Sequence, residues 1–164
     1  MNYYGATQFK AGGNISITGI TASGGNGWGV YLESGTLWTT SGNVNITGTG
    51  SNGIYLGSQS IVAGNTTSNP SAGGTVTINA TGNTSGYFGL RQNASSVVAF
   101  DAISITATAI GNHAYQLQGS GGKVQSASSI TISATQGSWG LTMYDNSFIQ
   151  STGGNIAVSY THLT

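Results

Sequence analysis

Cysteine is absent from this 164-residue chain, which excludes a disulfide framework and any thiolate metal site. Charge is nearly absent as well: three Lys or Arg against three Asp or Glu leave a formal net charge of zero. That balance excludes a basic surface for nucleic acid. Proline occurs once, at Pro70. No apolar run approaches the ~20 residues of a membrane-spanning helix, so no direct membrane insertion is expected. The opening MNYYGATQFK also lacks the apolar stretch of a signal peptide. Helical periodicity is missing throughout.

What the chain has instead is a repeat of three apolar steps. A GGNISI-type step places Ile15/Ile17, Val44/Ile46, Val76/Ile78, Ile103/Ile105, Ile130/Ile132 and Ile156 at intervals of 29, 32, 27, 27 and 26 residues. A GVYL-type step aligns Gly29-Val30-Tyr31-Leu32 with the segments ending at Leu56, Gln92, Leu117 and Met143. A lone apolar residue follows at Leu37, Ile61, Val97, Val124 and Phe148. Self-similarity at this period is the signature of stacked turns.

Each step alternates apolar with polar residues over three to five positions, is rich in Ile, Val and Thr, and is bounded by Gly, Asn and Ser. Such segments read as short half-buried strands. Three strands per turn, stacked at about 4.8 Å, predict an all-β, right-handed, single-stranded parallel β-helix (a β-solenoid) of about five turns and about 25 Å length. The array is expected over residues 1–156. Counting back from Phe9 puts Asn2-Tyr3-Tyr4 on the Val30-Tyr31-Leu32 step, so the chain is expected to begin inside a turn without a capping turn. Residues 157–164 leave the repeat grammar; VSYTHLT resembles the translation of a sequencing-library adapter, and His162 is given no functional weight. Met1 is accordingly expected not to be the native start, and the chain to be an internal fragment. Its uncapped ends predict end-to-end association.

Segments such as Ser41–Leu56 and Gly73–Gly82 resemble the repeats of filamentous-haemagglutinin-like and autotransporter-type bacterial adhesins, a similarity that spans roughly residues 9 to 156. The resemblance implies a β-helical stalk within a large exported protein, secreted or held at the bacterial cell surface. The partner implied for the full-length protein is a host-cell or extracellular glycan or protein. It implies no catalysis and no cofactor. An N-terminal secretion domain or a translocator barrel would be the family's confirming feature.

Candidate chemistry is sparse. β-Helical polysaccharide lyases and hydrolases work from clustered acids and bases, and a glycosidase pair stands about 5–10 Å apart. Glu33 and Asp145 follow the second step in turns about 19 Å apart by strand spacing, and Asp101 belongs to a different corner. Lone acids at turns are expected to be solvated or to cap nearby N–H groups. His113 is expected to pack rather than to catalyse. Calcium solenoids need an acid in every turn, so no metal is expected. Asn14, Asn43 and Asn155 share the slot before the first step, where a partial amide ladder is expected.

The outward position of the second step holds Tyr3, Tyr31, Tyr55, Arg91, Gln116 and Thr142 in turn. Tyr3, Tyr31, Tyr55 and Arg91 form the candidate ligand-contact surface, because aromatic groups and a cation suit a sugar or a protein partner. Three positions earlier, two before Val30 and its equivalents, lie Trp28, Asn52, Phe88, His113 and Trp139, which parity with Val30 places inward; in the third turn Phe88 and Leu90 are expected to be buried and Gln92 to sit near the corner. The stretch Ala63–Gly73 reads as a projecting loop and the first place for specificity. The leading reading is a non-catalytic stalk. Its alternatives are a fragment of a polysaccharide lyase or hydrolase, and a carbohydrate-binding solenoid that uses the tyrosine column.

Overall fold

The computed structural model describes residues 2–22, 24–64, 73–85, 87–135 and 138–161, with side chains described from Gln8 onward. The loop centred on Pro70, Met1 and His162 lie outside the described residues.

Every regular element among these residues is a strand, and the pairings are all parallel. The β-branched first steps form one face in sequence order: β2 (Ile15–Ile20), β4 (Val44–Gly50), β7 (Val76–Gly82), β10 (Ile103–Ala109), β13 (Ile130–Thr135) and β16 (Ile156–Thr161). Its register runs Ile15↔Val44↔Val76↔Ile103↔Ile130↔Ile156, as the repeat predicts. The second face stacks the leading halves of β1 (Asn2–Ala11) and β3 (Trp28–Thr39) on β5 (Asn52–Gly57), β8 (Leu90–Asn93), β11 (His113–Gln118) and β14 (Trp139–Met143). The trailing halves of β1 and β3 continue into the third face with β6 (Ser60–Ala63), β9 (Ser96–Ala99), β12 (Lys123–Ser126) and β15 (Phe148–Ser151). The chain is thus a parallel β-solenoid of about five turns, with strands spaced as in any sheet.

The core is the column enclosed by the three faces. Val44, Ile46, Val76, Ile78, Ile103, Ile105, Ile130 and Ile132 from the first face meet Val30, Leu32, Ile54, Leu56, Leu90 and Leu117 from the second and Leu37, Ile61, Val97 and Val124 from the third. Burying each of these side chains stabilises the fold by about 1.5–3 kcal/mol relative to leaving it exposed. Because each turn touches only its neighbours, that stabilisation accrues turn by turn.

The corner between the second and third faces has a fixed backbone solution. Ser34, Ser58, Ala94, Gly119 and Asp145 stand there in successive turns, all with positive φ, from 47° at Ser58 to 85° at Gly119. From β3 onward, five successive corners therefore pivot on a left-handed residue, although only one of the five is glycine. In the last turn Asn146 is left-handed as well. This lengthens the corner by one residue.

That extra residue corrects one sequence expectation. Val124 pairs with Ile149 while Lys123 pairs with Phe148, so Ile149 and not Phe148 takes the inward third step. Phe148 is exposed and Ile149 packs against the core. A second correction falls in β1, where a bulge between Tyr4 and Thr7 shifts the register, so that Tyr3 pairs with Leu32 and Asn2 with Tyr31. Counting back from Phe9 passes through that bulge and lands one residue off.

The asparagine slot does form rungs, but through the backbone. Asn14 Oδ1 accepts the Asn43 N–H at 2.9 Å, and Asn43 Oδ1 accepts both the N–H and the hydroxyl of Thr75, each at 2.9 Å. The side chain of one turn thereby satisfies a donor at the corner of the next.

Candidate functional site

The second face carries the candidate surface, and its shape follows from one column of small residues. Gly29, Gly53, Gly89, Ala114 and Gly140 precede the inward Val30, Ile54, Leu90, Tyr115 and Leu141, and all five small residues are buried. Two consecutive inward positions break strict alternation. Trp28, Phe88, His113 and Trp139 therefore do not face the core, as parity with Val30 predicts, but turn outward beside the tyrosine column.

Their rings form a ladder along the solenoid. Trp28 and Phe88 stack at 6.3 Å between centroids, Phe88 and His113 at 5.6 Å with planes 6° apart, and His113 and Trp139 at 6.0 Å. Asn52, which shares the Trp28 register, is buried instead and accepts the Phe88 N–H at 3.0 Å. Alongside, Tyr31 stacks on Tyr55 at 4.6 Å, and Trp28 closes on Tyr55 at 5.3 Å. The Arg91 guanidinium lies 5.1 Å from the Phe88 ring centre, within cation–π range. Of the four sequence-predicted contact residues, Tyr31, Tyr55 and Arg91 are brought onto one face; the Tyr3 side chain lies outside the described residues.

Stacking along the axis has a chemical consequence. A sugar uses the open face of a ring, and here Tyr31 and Tyr55 turn their faces to each other, as do Phe88 and His113. Rings placed this way stabilise neighbouring turns, about 0.5–1.5 kcal/mol per pair beyond burial. The Tyr31 hydroxyl is engaged too, donating to Glu33 Oε2 at 2.8 Å.

The remaining titratable groups are dispersed. Asp145 Oδ2 accepts the Gly119 N–H at 3.2 Å, the capping role expected of a lone acid. Glu33 instead accepts the tyrosine hydroxyl, and Asp101 is exposed at another corner. No group of three His, Cys, Asp or Glu able to hold a metal occurs among the described residues. No described helix is long and apolar enough to cross a membrane.

His113 is held below its ordinary pKa of 6.5 by burial first and by the Arg91 charge second. The folded state therefore binds this proton less readily than the unfolded chain. The stability tied to neutral His113 is fully present above pH 6.5 and is lost as pH falls from there through the lowered folded value. His113→Gln is expected to remove that part of the pH dependence, as read by urea titrations across the range; an unchanged slope would contradict it.

Inside the same turns sits a polar contact that the sequence did not disclose. Gln92 is fully buried: its Oε1 accepts the Tyr115 hydroxyl at 2.7 Å, and its Nε2 donates to the carbonyls of Ser95 and Lys123 at 2.9 and 3.0 Å. This corrects the expectation that Gln92 lies near the corner while Phe88 is buried. Burial pushes the Tyr115 phenol far up, keeping it protonated and a donor. A tyrosine one turn on is the partner that admits a glutamine to the core.

Comparisons with protein-family models, curated proteins and solved structures return no match to this chain. The class it belongs to, a parallel β-solenoid, is therefore carried by its own strand register.

Proposed function

We propose that this chain is a structural stalk segment of a large exported bacterial surface adhesin, a non-catalytic spacer that holds adhesive regions away from the cell. The observation that carries the reading is the first face: six parallel strands in one unbroken register, each turn repeating the last. A structure of this kind gains length with every turn at constant cross-section, which is what a spacer needs. The aromatic ladder supports the same role, since its ring faces are spent on turn-to-turn stacking. So does the placing of Glu33 and Asp145 four turns apart along one corner, with Asp101 at another, in place of a catalytic pair.

The test is protease shaving of intact cells that produce the native gene product, followed by mass spectrometry. Peptides from residues 30–135 are expected in the shaved fraction while a cytosolic marker stays protected. Recovery of those peptides only after lysis would contradict the reading.

A further inference from the structure

The third face differs from the first in what it turns outward. The first face presents Ser16, Asn45, Thr77, Ser104 and Thr131 at one outward position. The third presents Val62 and Val98 in the register that continues to Gln125, beside a row of Ser60, Ser96 and Lys123. These rows line a groove of about 520 Å³, which Phe100 joins at the following corner. That volume lies within the range of small-ligand clefts.

Three features of the groove point to one ligand chemistry. Among the described residues Lys123 is its only charged lining group, and the Lys123 ammonium makes no ion pair or hydrogen bond with any of them. Phe100 stacks on no described ring, unlike the paired rings of the second face. Gln125 donates to Gln150 Oε1 at 3.1 Å, which leaves its own carbonyl oxygen to accept, and Ser60 and Ser96 add hydroxyls on an apolar floor. An apolar patch rimmed by hydroxyl and amide groups matches a pyranose ring, and the unpaired ammonium calls for a carboxylate. A peptide strand has less to gain here: β6, β9 and β12 are each paired along the stack, so the groove offers side chains and no free sheet edge.

We infer that this groove is a binding site for a carboxylated oligosaccharide, of the uronic-acid class, with its carboxylate on Lys123 and a ring against Val98 and Phe100. The inference goes beyond the spacer role and does not depend on surface display.

The experiment is a titration of the purified chain with trigalacturonate, followed by calorimetry and by amide NMR shifts. Saturable binding that perturbs residues 96–100 and 123–127 is expected. Lys123→Gln is expected to weaken it at least tenfold, a neutral trisaccharide to bind at least tenfold less tightly, and the Tyr31→Ala/Tyr55→Ala variant to bind as the parent does. Circular dichroism establishes that each variant remains folded. Absence of binding, unchanged affinity in Lys123→Gln, equal affinity for a triglutamate peptide, or loss only in the tyrosine variant would each overturn the site. None of these outcomes bears on protease shaving, so the two proposals fail separately.

Discussion

Gln92→Ala is expected to cost about 3–5 kcal/mol of stability, the scale of a large-to-small core change with unpaired polar groups added to the cavity. The substitution removes a side chain that is 0 % exposed and strands the Tyr115 hydroxyl, which is equally buried. It also takes a donor from the Ser95 and Lys123 carbonyls. Tyr115→Phe is milder at about 1–3 kcal/mol, since it orphans Gln92 Oε1 without opening a comparable void. Combining it with Gln92→Leu removes both ends of the hydrogen bond, and the pair should be more stable than Gln92→Ala alone. Urea denaturation of the four proteins measures this. A Gln92→Leu/Tyr115→Phe protein no more stable than Gln92→Ala would show that the two side chains do not act as a pair.

Gly53→Val is expected to cost at least about 3 kcal/mol, at the upper end of overpacking effects. A Cβ at Gly53 would stand 2.3 Å from the Gly89 carbonyl oxygen and 2.6 Å from the Thr81 nitrogen. Both obstacles are backbone atoms of the adjoining turn, so relief requires moving a strand of the stack. Ala114 holds the same column two turns on, which makes Gly53→Ala the milder variant. Thermal unfolding followed by circular dichroism reads the loss, and a melting temperature within a degree of the parent's would contradict the close approach.

The architecture was legible because the apolar residues of the first step serve one purpose in every turn. Ile15 through Ile156 can be aligned by counting, and their register in the sheet is the counted one. Corners were less legible, because their length depends on backbone dihedrals that residue type only weakly specifies. Asp145 and Asn146 both adopt positive φ, and the resulting extra residue moves the inward step from Phe148 to Ile149. Outward aromatic groups were misplaced for a related reason: parity from Val30 to Trp28 assumes a regular strand, whereas the intervening glycine column marks a bend. Glycine recurring just before the apolar residue was the available signal.

The candidate surface was half readable in the same way. Tyr31, Tyr55 and Arg91 share a face as their spacing implied, but which way their rings turn is set by packing between turns. The fate of Gln92 was hidden because its partner lies 23 residues away, on a tyrosine whose apolar position masked its hydroxyl. The third-face groove depends on Val62 and Val98 pointing outward, which follows from the inward Ile61 and Val97 between their neighbours.

The most direct test of the solenoid register is a spin-label distance between Ser16→Cys and Thr131→Cys, placed in a chain that has no other cysteine. Both positions face outward on the first face, four turns apart in one column. The predicted separation is about 19 Å, four rises of about 4.8 Å, with a narrow distribution. A broad distribution centred near 60 Å, as roughly expected of a flexible 115-residue segment, would contradict the stacked turns on which the stalk reading rests.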